Sequence, residues 1–169
     1  MTQQNGGRSS EQTRVVVIGI GNPFRGDDAV GVIFSRRIRD SVPRGVTVLE
    51  HDGEPAKLME AWAGADMVYL VDAVQARVGA GQICRFEAHR EPLPAEFFRL
   101  STHVIGVADA IELARNLNEM PGGLVVYGIQ GTRFDHTSEL SPEVDNACDV
   151  LVFQVLDEIR DFLKPEAGE

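Results

Sequence analysis

Three polar side chains stand where apolar segments of this 169-residue sequence end, and their chemical types suit a metal site. Asp28 closes a glycine-rich turn, Asp72 follows the apolar run Met67–Val71, and His103 precedes a helical pattern. Two carboxylates and one imidazole can bind a divalent transition metal and leave coordination positions open for a substrate or a water molecule. The set therefore predicts a divalent-metal site, for which zinc, nickel, manganese and iron are all admissible.

The turn that carries Asp28 could instead belong to a dinucleotide-binding fold. Gly19 and Gly21 match the first two glycines of the GxGxxG pattern, and Glu50 stands at the end of the next predicted strand, where a ribose would be bound. The third glycine position is Phe24, however, and the two adjacent aspartates would repel a pyrophosphate. We therefore favour a cation site.

Each candidate also has a purely structural interpretation. A helix cap accounts for one aspartate of the pair Asp27 and Asp28 but not easily for both, and Asp72 could simply form a turn. A helix start favours the neutral, ligand-competent form of His103. The other histidines, His51, His89 and His136, are interpreted as surface or cap residues, although His51 and His136 lie beside aspartates and could join a site.

Predicted strands and helices alternate along the chain and place the candidate residues at one edge of a sheet. The predicted elements are strand Val15–Ile20, helix Ala29–Asp40, strand Val46–Glu50, helix Pro55–Ala63, strand Met67–Val71, strand Gln82–Glu87, helix Val104–Asn118, strand Leu124–Ile129, and a last helix that Ser141 caps and Lys164–Pro165 ends. This order predicts an α/β fold with a five-stranded, mostly parallel sheet covered on both faces. The connection before Gln82–Glu87 is too short for a helical crossover, so we expect that strand to pair antiparallel with the strand before it. Functional groups gather at the carboxyl ends of the parallel strands.

Composition and charge exclude several classes of protein. The chain carries 16 Lys+Arg against 26 Asp+Glu, a net charge of −10 that disfavours nucleic acids and anionic membrane surfaces as partners. No apolar run reaches the roughly 20 residues of a membrane-spanning helix, so we expect no membrane protein. The two cysteines, Cys84 and Cys148, form no CxxC pair and are interpreted as core thiols.

The sequence predicts one domain. Residues 1–13 contain no apolar stretch and are interpreted as a disordered polar leader, residues 14–164 as a single α/β domain, and residues 165–169 as a flexible tail. A secretory signal needs a hydrophobic segment of about 7–15 residues, so we expect a cytoplasmic protein.

Four segments carry a resemblance to a known family. The most specific is VIGIGNPFRGDDAVG at residues 17–31, and the others are LVDA at 70–73, STH at 101–103 and LSPEV at 140–144. In this order they resemble the maturation endopeptidases of nickel–iron hydrogenases, peptidase family M52. The likeness extends from about Val15 to Leu163.

The resemblance implies a three-layer α/β/α sandwich, a cytoplasmic location, and removal of a short C-terminal extension from a hydrogenase large-subunit precursor after nickel insertion. By position it makes Asp28, Asp72 and His103 the metal-binding and catalytic residues, and nickel carried by the substrate the metal. Two loops depart from the family pattern: residues 52–55 read DGEP where many members have a DGGT-like loop, and Gly131 stands where members often have proline. These departures leave the client hydrogenase open. A nickel-dependent binding module that does not cut and a general metal-dependent hydrolase remain alternatives.

Overall fold

The computed structural model describes residues 13–75, 79–94 and 106–165. In chain order the elements are β1 (Val15–Ile20), a 3-10 turn (Gly26–Ala29), α1 (Val30–Ile38), β2 (Val46–His51), α2 (Pro55–Trp62), β3 (Met67–Val74), β4 (Ile83–Glu87), α3 (Val107–Leu117), β5 (Leu124–Gln130) and α4 (Pro142–Leu163). The five strands form one sheet in the order β2-β1-β3-β5-β4, in which β4 alone is antiparallel. This confirms the predicted fold class.

Successive side chains of the central strands lie on opposite faces of the sheet and pack into two separate hydrophobic cores. One core lies between the sheet and the helices α1 and α4, and includes Phe34 and Tyr127. The other lies between the sheet and the helices α2 and α3, and includes Trp62 and Ile111. Because both faces of β1, β3 and β5 are covered, these strands are apolar at almost every position rather than at every second one. The molecule is a three-layer α/β/α sandwich.

Two facing glycines let α1 lie very close to the sheet. A Cβ atom on Gly19 of β1 would lie 1.8 Å from the carbonyl oxygen of Gly31 in α1. A Cβ atom on Gly31 would lie 2.2 Å from the Ile20 oxygen and 2.4 Å from the Val71 oxygen. Only glycine fits at either position, so the start of α1 is pressed against the ends of β1 and β3. The glycine that suggested a phosphate-binding loop therefore has a packing role.

The partner of β4 differs from the predicted one. β5 lies between β3 and β4, and β4 pairs antiparallel with β5, from Ile83 opposite Ile129 to Glu87 opposite Val125. The predicted antiparallel direction is confirmed, and the predicted pairing with β3 is wrong. A short connection fixes the direction of the next strand, but it does not prevent a later strand from inserting between the two.

Two predicted element boundaries are also wrong. β3 continues through Asp72 to Val74, because the residues Asp72, Ala73 and Val74 pair with Gly128, Ile129 and Gln130 of β5. α3 begins at Val107 rather than at about Val104, because Gly106 is extended and donates its N–H to the Asp109 carboxylate at 2.9 Å. Asp72 therefore lies inside a buried strand, where its neighbours hold it firmly.

The long helix α4 is fastened to the sheet by a polar cluster. Glu158 accepts hydrogen bonds from the Tyr127 hydroxyl of β5 and from the guanidinium of Arg85 in β4, the latter at 3.1 Å. The cluster joins three elements at the edge of the sheet. Neither α4 nor any other helix in the described part of the chain combines the length and the apolar composition that crossing a membrane requires.

Candidate functional site

Two buried carboxylates lie near each other at the carboxyl ends of β1 and β3, close enough for the charge of Asp28 to act on Asp72. β1 is flanked by β2 on one side and β3 on the other, which opens a crevice beyond the carboxyl ends of β1 and β3. Asp28 lies in the 3-10 turn beyond β1 and Asp72 lies in β3. Their exposed fractions are only 5% and 3%. The structure thus brings together two of the three predicted site residues.

The raised pKa of Asp72 makes this carboxyl group a suitable ligand for a cation. Burial and, to a smaller extent, the negative charge of Asp28 raise the pKa of Asp72, the Ala73 N–H lowers it by donating to Oδ1 at 2.8 Å, and the net pKa is about 8. Asp72 therefore holds a proton at neutral pH. A divalent cation between the two carboxylates would displace that proton and relieve the repulsion, so the pair suits a metal ion.

The turn after β1 fixes the orientation of Asp28. The Asn22 N–H donates to Oδ2 of Asp28 at 3.2 Å, and the Asn22 side chain accepts from the Phe24 N–H at 2.9 Å. Gly21 has φ of +154°, and a Cβ there would lie 1.9 Å from the Asp28 carbonyl oxygen. The turn is therefore closely packed around Asp28, and it holds the ring of Phe24 in solvent with 72% of its surface exposed.

Asp27 has a different role from its neighbour. Its carboxylate accepts the N–H groups of Thr132 at 2.8 Å, Arg133 at 2.9 Å and Ser141 at 2.7 Å, and the Ser141 hydroxyl at 2.9 Å. Burial raises the pKa of Asp27, but these hydrogen bonds lower it more, and the net direction is downward. Asp27 thus fastens the loop between β5 and α4 to the turn of Asp28.

Two predicted caps are therefore wrong. Neither Asp27 nor Asp28 makes a side-chain cap hydrogen bond at the start of the 3-10 turn or of α1. Ser141 occupies the N-cap position of α4, but its hydroxyl donates to Asp27 and caps no helix N–H. The Ser141 hydroxyl, which the local sequence pattern assigns to the helix N-terminus, instead bonds to Asp27, which is distant in the sequence.

The end of β2 forms the rim of the crevice. The carbonyl oxygen of His51 accepts the Gly21 N–H at 3.1 Å, which links β2 to the turn of Asp28. Asp52 accepts the Glu54 N–H at 3.0 Å and remains exposed. The carboxylate of Glu50 forms ion pairs with Arg36 at 3.0 Å and Arg39 at 3.4 Å. Glu50 is therefore engaged on the surface, which removes the acidic residue that a dinucleotide site would use.

Sequence analysis did not identify Gln130 as a candidate. This residue ends β5, where its Nε2 donates to the Gly131 carbonyl at 2.6 Å, while its buried Oε1 accepts no hydrogen bond from any residue that the structure describes. A buried amide oxygen without a donor is unfavourable and is available to a ligand. Its position at the carboxyl end of a buried parallel strand is the signal that could have identified it.

The remaining candidates have different outcomes. His103 lies outside the described residues, and so do the predicted caps Ser101 and Thr102. Within residues 13–75, 79–94 and 106–165, no cluster of three or more His, Cys, Asp or Glu side chains is arranged to hold a metal. The ring of His89 contacts the backbone of Leu124, and His136 is exposed.

Neither cysteine is poised as a nucleophile. Cys148 is buried, and burial raises the pKa of its thiol to about 11. Cys84 is half-buried, and burial raises the pKa of its thiol as well. The thiolate is the nucleophilic form, so both groups are inert at neutral pH.

Comparisons with known proteins agree on one family. The family model HycI, described as hydrogenase maturation protease, matches residues 33–158. The hydrogenase expression/formation protein HupD of Bradyrhizobium diazoefficiens is 28% identical over 156 residues, which cover 85% of this chain and 80% of that protein. The hydrogenase 2 maturation protease of Escherichia coli K12 is 26% identical over 151 residues, which cover 88% and 92%. The crystal structure of a [NiFe] hydrogenase maturation protease HycI from Thermococcus kodakarensis superposes with a TM-score of 0.67 at 25% identity and covers 89% of this chain and 95% of that one.

Proposed function

This chain belongs to the hydrogenase maturation protease family, and we propose that it removes the C-terminal extension of a nickel–iron hydrogenase large-subunit precursor after nickel has been inserted. The family makes it a hydrolase of peptide bonds. Beyond this activity, we propose the substrate and the stage at which it is cut. The cytoplasmic location is proposed from the family resemblance of the sequence.

One observation carries the proposal. Asp28 and Asp72 are both buried, and they are close enough for the charge of Asp28 to help raise the pKa of Asp72, which is about 8. Burying two carboxylates near each other lowers the stability of the protein, and such pairs occur at functional sites. A divalent ion is the ligand that best compensates both charges.

We assign the nickel of the precursor as that ion. Asp28 and Asp72 would bind its open coordination positions, and His103 is proposed as the third ligand from the sequence. Nickel held by these residues would supply a Lewis acid able to polarise the scissile carbonyl or a water molecule. The protein's own contribution is to orient Asp28 through the Asn22 N–H, to release the proton of Asp72, and to bury both carboxylates away from solvent.

This arrangement also explains how the enzyme would recognise a finished substrate. A precursor without nickel offers the carboxylate pair no cation, so Asp72 keeps its proton and the precursor lacks an anchor. The metal then acts both as an anchor and as a check on insertion. This recognition would separate a dedicated maturation enzyme from a general peptidase.

The test compares cleavage of a purified precursor in its nickel-loaded and nickel-free forms by mass spectrometry. We expect the wild-type protein to shorten only the nickel-loaded form, and Asp28→Asn, Asp72→Asn and His103→Ala to leave it at full mass. Asp157→Ala is the matched control, because this exposed carboxylate lies on α4 sixteen positions beyond Ser141, roughly 24 Å along the helix. It should cleave normally.

The other outcomes distinguish the alternatives. A stable complex with the nickel-loaded precursor and an unchanged mass would replace the proposal by a non-cutting binding module. Cleavage of unrelated peptides would indicate a general metal-dependent hydrolase. Normal cleavage by all three site variants would remove Asp28, Asp72 and His103 from the mechanism.

A further inference from the structure

A cavity opens between the turn that carries Asp28 and the end of β2. It has a volume of about 350 Å³ and is lined by Gly21 and Pro23 of the turn, by Glu50, His51 and Asp52, and by Lys57 of α2. We call it the His51 groove. Its volume lies at the low end of ligand pockets, which fits a short peptide segment better than a large cofactor.

The position of the ring proton of His51 is fixed by a backbone contact. The Gly53 N–H donates to Nδ1 of His51 at 2.9 Å. A backbone N–H can only donate, so Nδ1 is the bare acceptor nitrogen and the ring proton of the neutral imidazole lies on Nε2. The Asp52 carboxylate approaches Nδ1 at 3.5 Å, but that nitrogen carries no proton for it to accept.

His51 therefore offers a donor that no described residue accepts. The side chain is only 11% exposed and lines the groove, and among the described residues no acceptor meets Nε2. The hydrogen bond from the Gly53 N–H already holds the imidazole ring in place. The ring therefore loses little conformational entropy when a ligand binds, which favours affinity.

We propose that the His51 groove binds the precursor chain next to the bond that is cut, and that Nε2–H of His51 donates to a main-chain carbonyl oxygen of the precursor. This proposal rests on the proposed function. Every residue of an extended peptide presents a carbonyl acceptor, so a fixed donor at the wall of a groove suits a peptide of any sequence.

The position of the groove supports this occupant. One wall is formed by Gly21 and Pro23, which belong to the same turn as Asp28, and Gly21 packs directly against the Asp28 carbonyl. The His51 carbonyl in turn accepts the Gly21 N–H. The groove and the carboxylate pair are therefore parts of one closely packed unit, and a segment in the groove lies within a few residues of a bond held at the pair.

Two substitutions separate the donor from the local structure. His51→Asn keeps an acceptor for the Gly53 N–H, because an asparagine oxygen accepts the N–H two residues on, as Asn22 does here with Phe24. It removes the Nε2–H donor. His51→Gln places an amide N–H at about the reach of Nε2 and can restore it. His136→Asn replaces an exposed histidine outside the groove and serves as the control.

The experiment measures binding and cleavage of the nickel-loaded precursor separately, by calorimetric titration and by mass spectrometry. We expect His51→Asn to weaken binding about three- to tenfold, the usual worth of one neutral hydrogen bond, with an unchanged melting temperature. His51→Gln should recover part of the affinity, and His136→Asn should match the wild type. In the free protein, nitrogen-15 spectra should show His51 as the Nε2–H tautomer.

The outcomes of this experiment keep the two proposals apart. Unchanged binding by His51→Asn, or an Nδ1–H tautomer in the free protein, overturns the role of His51 whether or not the precursor is cut. Weakened binding without any cleavage by the wild type supports the groove and overturns the proposed function alone. A wild-type protein that does not bind the precursor overturns both.

Discussion

Asp27 and Ser141, 114 positions apart in the sequence, are joined by two hydrogen bonds, from the Ser141 N–H to Oδ1 at 2.7 Å and from the Ser141 hydroxyl to Oδ2 at 2.9 Å. The same carboxylate accepts the N–H groups of Thr132 and Arg133. The loop before α4 is therefore held by the residue that precedes Asp28. Because Asp27 and Asp28 share one short 3-10 turn, a movement of the loop would displace Asp28 relative to Asp72.

The first prediction concerns the stability that Asp27 provides. Asp27→Asn replaces an acceptor-only group by one that presents N–H groups to donors, so we expect the free energy of unfolding at pH 7 to fall by about 2–4 kcal/mol. Asp135→Asn is the control, since Asp135 is an exposed carboxylate of the same loop, and it should change stability by less than about 0.5 kcal/mol. Urea unfolding of the two variants measures the difference.

The pH dependence of this effect has a definite sign. The pKa of Asp27 is lower in the folded protein than its ordinary value of 3.8, so its contribution is fully present above about pH 4 and is lost as the pH falls through the folded value. The stability difference between wild type and Asp27→Asn should therefore shrink on acidification below pH 4. A difference that stays constant down to pH 2 would show that the charge of Asp27 does not matter.

The second prediction concerns the contact between α1 and the sheet. Gly31→Ala would place a Cβ 2.2 Å from the Ile20 carbonyl, so α1 must shift, and we expect a loss of about 2–4 kcal/mol together with reduced processing. Gly79→Ala is the control, because among the described residues the nearest atom to its Cβ would be 4.0 Å away. An unchanged melting temperature for Gly31→Ala would contradict the close approach.

The sequence predicted those features that depend on neighbouring residues. Continuous apolar runs identified β1, β3 and β5, and the strand order of an α/β fold placed Asp28 and Asp72 at one edge. Features that depend on distant residues were not predictable. Ser141 has the residue type and position of a helix cap, and only the fold reveals that Asp27 takes its hydroxyl. The insertion of β5 between β3 and β4 is likewise set by packing between distant segments.

The third prediction is a gain of stability at the expense of function. The folded pKa of Asp72 is raised to about 8, so the unfolded chain releases this proton at a lower pH than the folded one. The contribution of Asp72 to stability is therefore fully present below about pH 4 and is lost as the pH rises towards 8, by up to about 1.4 kcal/mol per pH unit. Asp72→Asn cannot ionise, so it should be more stable than the wild type by on the order of 2–5 kcal/mol at pH 8, while it loses processing.

Thermal unfolding between pH 5 and pH 8 tests whether Asp72→Asn is more stable than the wild type. The stabilising effect of Asp72→Asn should grow with pH, whereas Asp157→Asn, which changes an exposed carboxylate on α4, should show no such trend. If Asp72→Asn were equally or less stable than the wild type at pH 8, Asp72 would not carry the burial cost that its position in β3 implies.

The last prediction concerns the pH dependence of processing itself. Burial and the charge of Asp28 together raise the pKa of Asp72 to about 8, and only the ionised carboxylate can bind the precursor's nickel. Below pH 8 the metal must displace a proton, so kcat/KM should rise about tenfold per pH unit between pH 6 and pH 7 and level off above pH 8. Single-turnover cleavage of the nickel-loaded precursor, with its nickel content checked at each pH, measures this profile. A rate that is flat from pH 6 to pH 8 would mean that Asp72 is already ionised in the encounter complex, and the anchoring role proposed for the pair would have to rest on Asp28.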